Sequence, residues 1–386
     1  MSAALADKHT GITLDRAGAA LRSLYVGDAL AMPVHWYYNP RDILQAFPGG
    51  IQKMEDAPTY HPSSIMSLHS TVQGGRGRLA SGAGREIVGE VILKGKRSFW
   101  GPANQHYHQG MKAGENTLNA HCARVVTRSM IAAAGRYDKD RFLDDYIRFM
   151  TADVPQHPDT YAESFHRGFF ANLESGNPRD RCGAVTHDTP SVGGLVMLAP
   201  IAIAERLNGN SLTAVQALCQ EHLFLTHPDT TLARVGDVYI ELLDALLFRP
   251  DGEVPRNHLA TAAQRSIGLN LSNLAAKART DSDVVGGRYS TACYITDSWP
   301  SLLYLAFKYT DNPRAALLAN ANLGGDNVHR GAVLGVILGL ASGRMVDEFF
   351  MGLRDRQAID AEINALLGKK GSSKEKNDCL GCAPIL

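Results

Sequence analysis

Two glycines, a carboxylate and an imidazole fall together in Gly324-Gly325-Asp326-Asn327-Val328-His329, directly ahead of an apolar stretch that carries Gly331, Gly335 and Gly339. Paired glycines let a chain turn tightly, and a carboxylate at a helix start can reach a pocket beside exposed N–H groups. That arrangement suits a charged ligand or an ion. Two other segments offer matching chemistry: Gly27-Asp28-Ala29-Leu30-Ala31-Met32-Pro33-Val34-His35, and Ala113-Gly114-Glu115-Asn116-Thr117. Each has a structural alternative. Asp28 could hydrogen-bond backbone groups where a helix ends. Thr117 could start a helix through its hydroxyl, with Glu115 placed favourably near the positive end. His329 could be an ordinary solvated helix residue.

Further candidates lie between these segments. His106-Tyr107-His108 precedes Glu115 and could supply His108 as a proton donor or stacking group, since imidazole titrates near neutral pH. Gly74-Gly75-Arg76-Gly77-Arg78, followed by Arg85, could cradle a diphosphate or be a solvated loop. Cys182 and His187 are sequence neighbours, but a catalytic pair has to meet in space. Tyr289, Tyr294 and Trp299 could stack on a base or pack in the core. The lone pair Cys379 and Cys382 lacks the further ligands that four-coordinate zinc needs.

The elements that must hold these groups are helical. Apolar residues recur at three- and four-residue steps in Leu14 to Leu30, Thr117 to Gly135, Arg141 to Thr151, Tyr161 to Glu174, Val192 to Leu207, Ser211 to Phe224, Thr231 to Phe248 and Ser298 to Tyr309. Weaker patterns cover Asn257 to Leu269, Pro313 to Ala321, Val328 to Leu340 and Val346 to Leu367. Arg85 to Trp100 reads as a small hairpin or extended insertion. The expected fold is all-α, one compact domain over 14–367, with a disordered tail over 368–386. The run Gly331 to Ala341 is too short to span a bilayer, and its glycines point to close packing against another helix.

The chain has 386 residues, and 39 basic side chains balance 39 acidic ones, so no strong field exists to gather nucleic acid or an anionic membrane. A small-molecule partner is favoured. The first residues hold no continuous apolar stretch, which makes the cytoplasm the expected location. Six cysteines, mostly scattered, imply no disulfide framework.

The order and spacing of the three motifs, with Leu225-Thr226-His227 between the last two, resemble the ADP-ribosylglycohydrolase family. That resemblance implies a compact all-α orthogonal bundle that cleaves the glycosidic bond linking ADP-ribose to a side chain, usually with two magnesium ions. The family pattern Thr-Asp-Asp-Thr corresponds here to Gly114-Glu115-Asn116-Thr117, and Gly-Gly-Asp-Thr-Asp-Thr to Gly324 through His329. A carboxylate commonly found after the first motif is replaced by His35, and a Met-Arg pair by Val196-Met197 ahead of Pro200. Four expected carboxylates shrink to Glu115 and Asp326, too few hard oxygen ligands for two magnesium ions. Glu115, Asp326 and His329 could hold one divalent metal, with imidazole shifting preference toward manganese, iron or zinc. His35, Glu115 and Asp326 are the catalytic candidates. Asp28, Asn116, Gly324, Gly325, Asn327 and His108 are expected to contact an ADP-ribose-like molecule or an ADP-ribosylated protein. The resemblance extends to the J-type lens crystallins and the selenoprotein J group, so a ligand-binding or structural member without turnover is the alternative. Oligomeric state is left open.

Overall fold

A computed structural model describes residues 11–64, 66, 85–186 and 188–368. Among them are sixteen α-helices and no strand. In chain order these are α1 (Gly11–Ala31), α2 (Pro40–Ala46), α3 (Leu118–Ala132), α4 (Lys139–Met150), α5 (Ser164–Glu174), α6 (Gly193–Val196), α7 (Leu198–Leu207) and α8 (Leu212–Thr226). The second half holds α9 (Thr230–Leu247), α10 (Pro255–Ile267), α11 (Leu271–Lys277), α12 (Ile295–Lys308), α13 (Pro313–Leu323), α14 (Asn327–Ser342), α15 (Asp347–Met351) and α16 (Arg356–Leu366). The all-α expectation holds. Asn39, Asp138, Ser211, Asp229, Asn270 and Asn312 each cap a helix by accepting from an amide in its first turn.

At the centre, α14 is buried along nearly its whole length and packs antiparallel against α1, the most extensive helix pair in the fold. Its glycines make that approach possible. A Cβ on Gly331 would lie 2.6 Å from the Gly27 carbonyl oxygen, and one on Gly339 would lie 2.5 Å from the Ala20 Cα. Cβ atoms on Gly335 and Gly27 would overlap the Ser23 and Gly331 carbonyl oxygens outright. The two backbones are therefore in direct contact, which a larger residue at any of these positions prevents.

Two expected helices are broken. Val192 to Leu207 divides at Met197, which places Pro200 in the first turn of α7, where its missing amide costs no hydrogen bond. Val346 to Leu367 divides at Gly352-Leu353-Arg354, because the Arg354 amide donates to the Gly114 carbonyl (2.9 Å) rather than continuing a helix. The Arg85 to Trp100 segment forms one wide helical turn over Ile87–Val91 and a short 3-10 turn over Arg97–Phe99 instead of paired strands. Gly89 has φ +102, and the Ile92 amide closes the turn on the Ile87 carbonyl (2.9 Å). The arginine-rich loop at Gly74 to Arg78, and the expected tail apart from Gly368, lie outside the described residues, as do Cys379, Cys382 and His187. No helix among the described residues is long and apolar enough to cross a membrane.

The α1–α14 contact predicts that Gly335→Ala lowers stability by about 3 kcal/mol, the upper end of the usual cost of overpacking, because carbonyl backbone cannot yield to the added methyl as a side chain could. Gly11→Ala, where a Cβ would meet nothing within 4 Å, serves as the control and leaves the urea midpoint nearly unchanged.

Candidate functional site

The α1–α14 crossing brings the first and third motifs together, since Gly27 precedes Asp28 and Gly331 follows His329 by two residues. Gly324 (φ +67) and Gly325 (φ +65) thread a turn that side chains cannot follow, their α-carbons pressed against the carbonyls of Tyr37 and Thr291. The Gly325 amide donates to Tyr37 O (2.7 Å), the Trp36 amide to Gly325 O (2.8 Å), and the Asp326 amide to Thr291 O (2.8 Å). Asn327 clasps the same turn, donating to Ala321 O (2.9 Å) and Val34 O (3.4 Å). These residues shape the site from behind; none of the three lines the cavity described below.

Asp326 caps α14 and is completely buried between two imidazoles. His329 Nδ1 lies 2.8 Å and His35 Nε2 3.3 Å from its Oδ1. Burial works against ionisation of Asp326, but His329 and His35 override it and hold the carboxyl far below its usual range. Burial also works against a charged His329, and again the partner prevails: Asp326 raises the His329 pKa to about 9. For His35 burial wins: it lowers the pKa to about 3 against the pull of Asp326, with His108 and His329 adding like charge. Asp326 Oδ2 is buried with no hydrogen-bond partner.

From His35 the line continues. His35 Nδ1 meets His108 Nε2 at 2.7 Å, and His108 Nδ1 meets Asp159 Oδ1 at 2.7 Å. Asp159 also accepts from the amides of Leu118 (2.7 Å) and Tyr161 (3.0 Å). Burial pushes its pKa up, but His108 pulls it down to about 2. If His108 donates from Nδ1 to Asp159 and is neutral, its Nε2 must accept from His35 Nδ1, and a bare His35 Nε2 then faces the Asp326 carboxylate. If instead His35 donates from Nε2 to Asp326, its Nδ1 needs a second proton on His108. Either a cation stands between His35 and Asp326, or the imidazoles carry one proton beyond neutrality.

The second motif joins through Asp28. Its carboxylate accepts from Thr117 Oγ1 (2.5 Å), the Thr117 amide (2.9 Å) and Asn116 Nδ2 (2.7 Å), so both oxygens are engaged. Burial raises the Asp28 pKa, opposed by these bonds from Thr117 and Asn116. Glu115 does not join the cluster. Gly114 (φ +80) turns the chain against Gly352, and the Glu115 carboxylate accepts from the Lys112 amide (2.8 Å) in its own loop. The group among the described residues that could hold a metal ion is His35, Asp326 and His329, whose candidate ligand atoms lie within 4.8 Å of one another. Of the expected set of Glu115, Asp326 and His329, the fold brings Asp326 and His329 together with His35 beside them and leaves Glu115 in its own loop.

Two carboxylates escaped the sequence reading. Asp159 and Glu163 lie in the irregular segment before α5, four residues apart, and a pair of acids just ahead of a helix start was the available signal. Glu163 Oε1 lies 3.8 Å from His329 Nε2. Burial lifts its pKa from 4.5 to about 7, against the pull of His329. His35, His108, Thr117, Asp159, Glu163 and His329 line a cavity with room for roughly one water. Other candidates are structural. His106 hydrogen-bonds Pro33 O (3.1 Å), and His227 packs on Phe165 with ring centres 4.1 Å apart. Trp299 is buried and donates to Ser266 Oγ (3.0 Å). Burial raises the Cys182 thiol to about 11, unsuited to a nucleophile.

Comparison with known proteins agrees with this architecture. The ADP-ribosylglycohydrolase family model matches residues 9–375. Among solved structures, one described as an "ADP-ribosylglycohydrolase-related protein complex" superposes with a TM-score of 0.54 at 16% identity, covering 93% of this chain and 99% of its own. At that identity the likeness establishes the fold. No curated protein matches the chain.

Two outcomes follow from the geometry. Asp28→Ala leaves buried donors on Asn116 and Thr117 unsatisfied and is expected to cost about 3 kcal/mol in urea denaturation, with Asp28→Asn milder. Because folding raises the Glu163 pKa from 4.5 to about 7, the folded chain keeps a proton that the unfolded chain releases across that window. Its contribution to stability therefore declines as pH rises from about 4.5 to about 7, by at most about 1.4 kcal/mol per unit. Glu163→Gln should accordingly gain on the parent between about pH 5 and about pH 7.5. An unchanging gap would contradict the raised pKa.

Proposed function

Since the chain belongs to the ADP-ribosylglycohydrolase family, we propose that it hydrolyses a glycosidic bond in an ADP-ribosylated protein or a related nucleotide sugar, using an altered, imidazole-rich site. The observation that carries this reading is the contrast between two carboxyls in one cluster. Asp326 is held ionised by His329 and His35, whereas Glu163 is lifted by burial to about 7. Environments that push neighbouring acids apart in this way mark a division of labour between proton donor and charge stabiliser.

In this reading Glu163 delivers a proton to the departing group, as glycoside hydrolysis requires, and Asp326 stabilises positive charge developing on the sugar ring. His329 holds Asp326 ionised, while Asp159 and His108 fix the orientation of His35. His35, with Nδ1 on His108 and Nε2 facing Asp326, serves in this reading to position Asp326 or an ion beside it rather than to take a proton from water.

The usual pair of magnesium ions does not fit these residues. Both Asp28 oxygens are engaged by protein donors, Glu115 is turned away, and the remaining set is two imidazoles and one carboxylate. Magnesium asks for an octahedron of oxygens. A single manganese, iron or zinc ion suits the set better, and the partnerless Asp326 Oδ2 and the available face of His35 Nε2 fit it. Bound there, such an ion would act as a Lewis acid toward a substrate oxygen.

A second reading, a ligand-binding or structural, crystallin-like protein without turnover, is favoured by the cavity itself, because its single-water volume requires the walls to open before any sugar enters. The test measures ADP-ribose release from ADP-ribosylated acceptors by the purified chain after chelation and after return of manganese, zinc or magnesium. Expected are turnover restored by manganese or zinc more than by magnesium, and a loss of at least about 100-fold in kcat/KM for Glu163→Gln. No release under any of these conditions, together with no change in melting temperature on adding ADP-ribose, would favour the second reading.

A further inference from the structure

The far end of α14, about 24 Å along the helix axis from Asp326, borders a surface groove of about 590 Å³. Arg249 forms part of its wall. One guanidinium nitrogen, Nη2, donates to the Ala341 carbonyl (3.0 Å), while Nε and Nη1 are buried without any hydrogen-bond partner. Leaving two charged donors unsatisfied is costly, so the position calls for an acceptor.

Among the described residues Arg249 forms no ion pair: Asp251 and Glu253 attract it from farther off, and each lies against another partner, Arg16 (3.2 Å) and His258 (3.4 Å). Asp311, the groove's own carboxylate, is held by Arg256 (3.0 Å), and Arg314 is taken by Glu348 (2.6 Å). Arg16, which acts on Arg249 as a like charge, has its own pair with Asp251 (3.2 Å). Arg344, exposed and lining the same groove, has no ion pair among the described residues. The helices α10 and α13 both begin in this wall, at Pro255 and Pro313, and add the positive ends of their dipoles. Met345 and Val346 supply apolar surface beside the arginines. A groove of this volume falls within the range of small-molecule sites.

We propose that this groove binds the phosphoryl group of a small organic phosphate, the Arg249 guanidinium turning outward so that Nε and Nη1 donate to it, Arg344 closing over the anion, and the apolar wall receiving the organic part. Two guanidinium groups that form no ion pair among the described residues match a doubly charged tetrahedral oxyanion better than a single carboxylate. The site is separate from the Asp326 cluster and does not depend on the reaction assigned there.

Titration calorimetry on the full chain at fixed ionic strength, with pyrophosphate as the probe, tests the assignment. Expected is one site per chain, weakened at least about tenfold by Arg344→Glu, which leaves the unliganded melting temperature unchanged, and weakened again by Arg249→Met. Asp326→Asn and Arg148→Glu, the latter an equal charge change outside the groove, should leave the affinity intact. Absence of binding would overturn the proposal, as would equal weakening by Arg148→Glu, which indicates an unspecific charge effect. Loss of binding in Asp326→Asn would place the anion in the buried cluster instead, and tighter binding of citrate than of pyrophosphate would overturn the phosphoryl assignment.

Discussion

Everything in the site depends on two helices touching through their backbones. Gly331, Gly335 and Gly339 on α14 and Gly27 on α1 remove the side chains that would hold the helices apart. That contact sets Asp28 and His35, at and just beyond the end of α1, beside Asp326 and His329 at the start of α14, although some 300 residues separate them along the chain. Ordinary side-chain packing holds helix axes about 8–10 Å apart, and the missing Cβ atoms allow a closer crossing. The glycines are thus the structural origin of the chemistry, without contributing a functional atom to it.

Burial then determines how the assembled groups behave. An isolated carboxylate in such surroundings would give up its charge, yet Asp326 and Asp159 are both held ionised by imidazole partners. Glu163, farther from a partner than Asp326, is left near neutrality. Three acids within one cluster thereby differ in acid strength through hydrogen bonding and proximity alone. The same logic makes the His35–Asp326 contact a receptor for positive charge, whether proton or metal.

Much of this was legible in the sequence, and the reasons are specific. The four-residue spacing of Gly331, Gly335 and Gly339 announced a helix crossing, and contiguous motifs flagged Asp28, His35, Asp326 and His329. Asn116 and Thr117 were found for a motif whose carboxylate, Glu115, faces elsewhere: one left-handed glycine, Gly114, decides which neighbour turns inward, and that depends on its docking against Gly352. Asp159 lies outside any periodic run and Glu163 at the edge of one, and neither belongs to a motif, so their part in the cluster exists only in three dimensions. The helix breaks at Met197 and Gly352 are likewise tertiary effects that override local preference.

The most direct test of the account is nitrogen-15 spectroscopy of the histidine rings in metal-free protein at neutral pH, with His35, His108 and His329 assigned by substitution. The account predicts a neutral His35 carrying its proton on Nε2 toward Asp326, beside a doubly protonated His329, and on adding zinc a move of the His35 proton to Nδ1 as Nε2 takes the ion. A His35 protonated on Nδ1 with Nε2 bare in the metal-free protein, or a neutral His329, would contradict it.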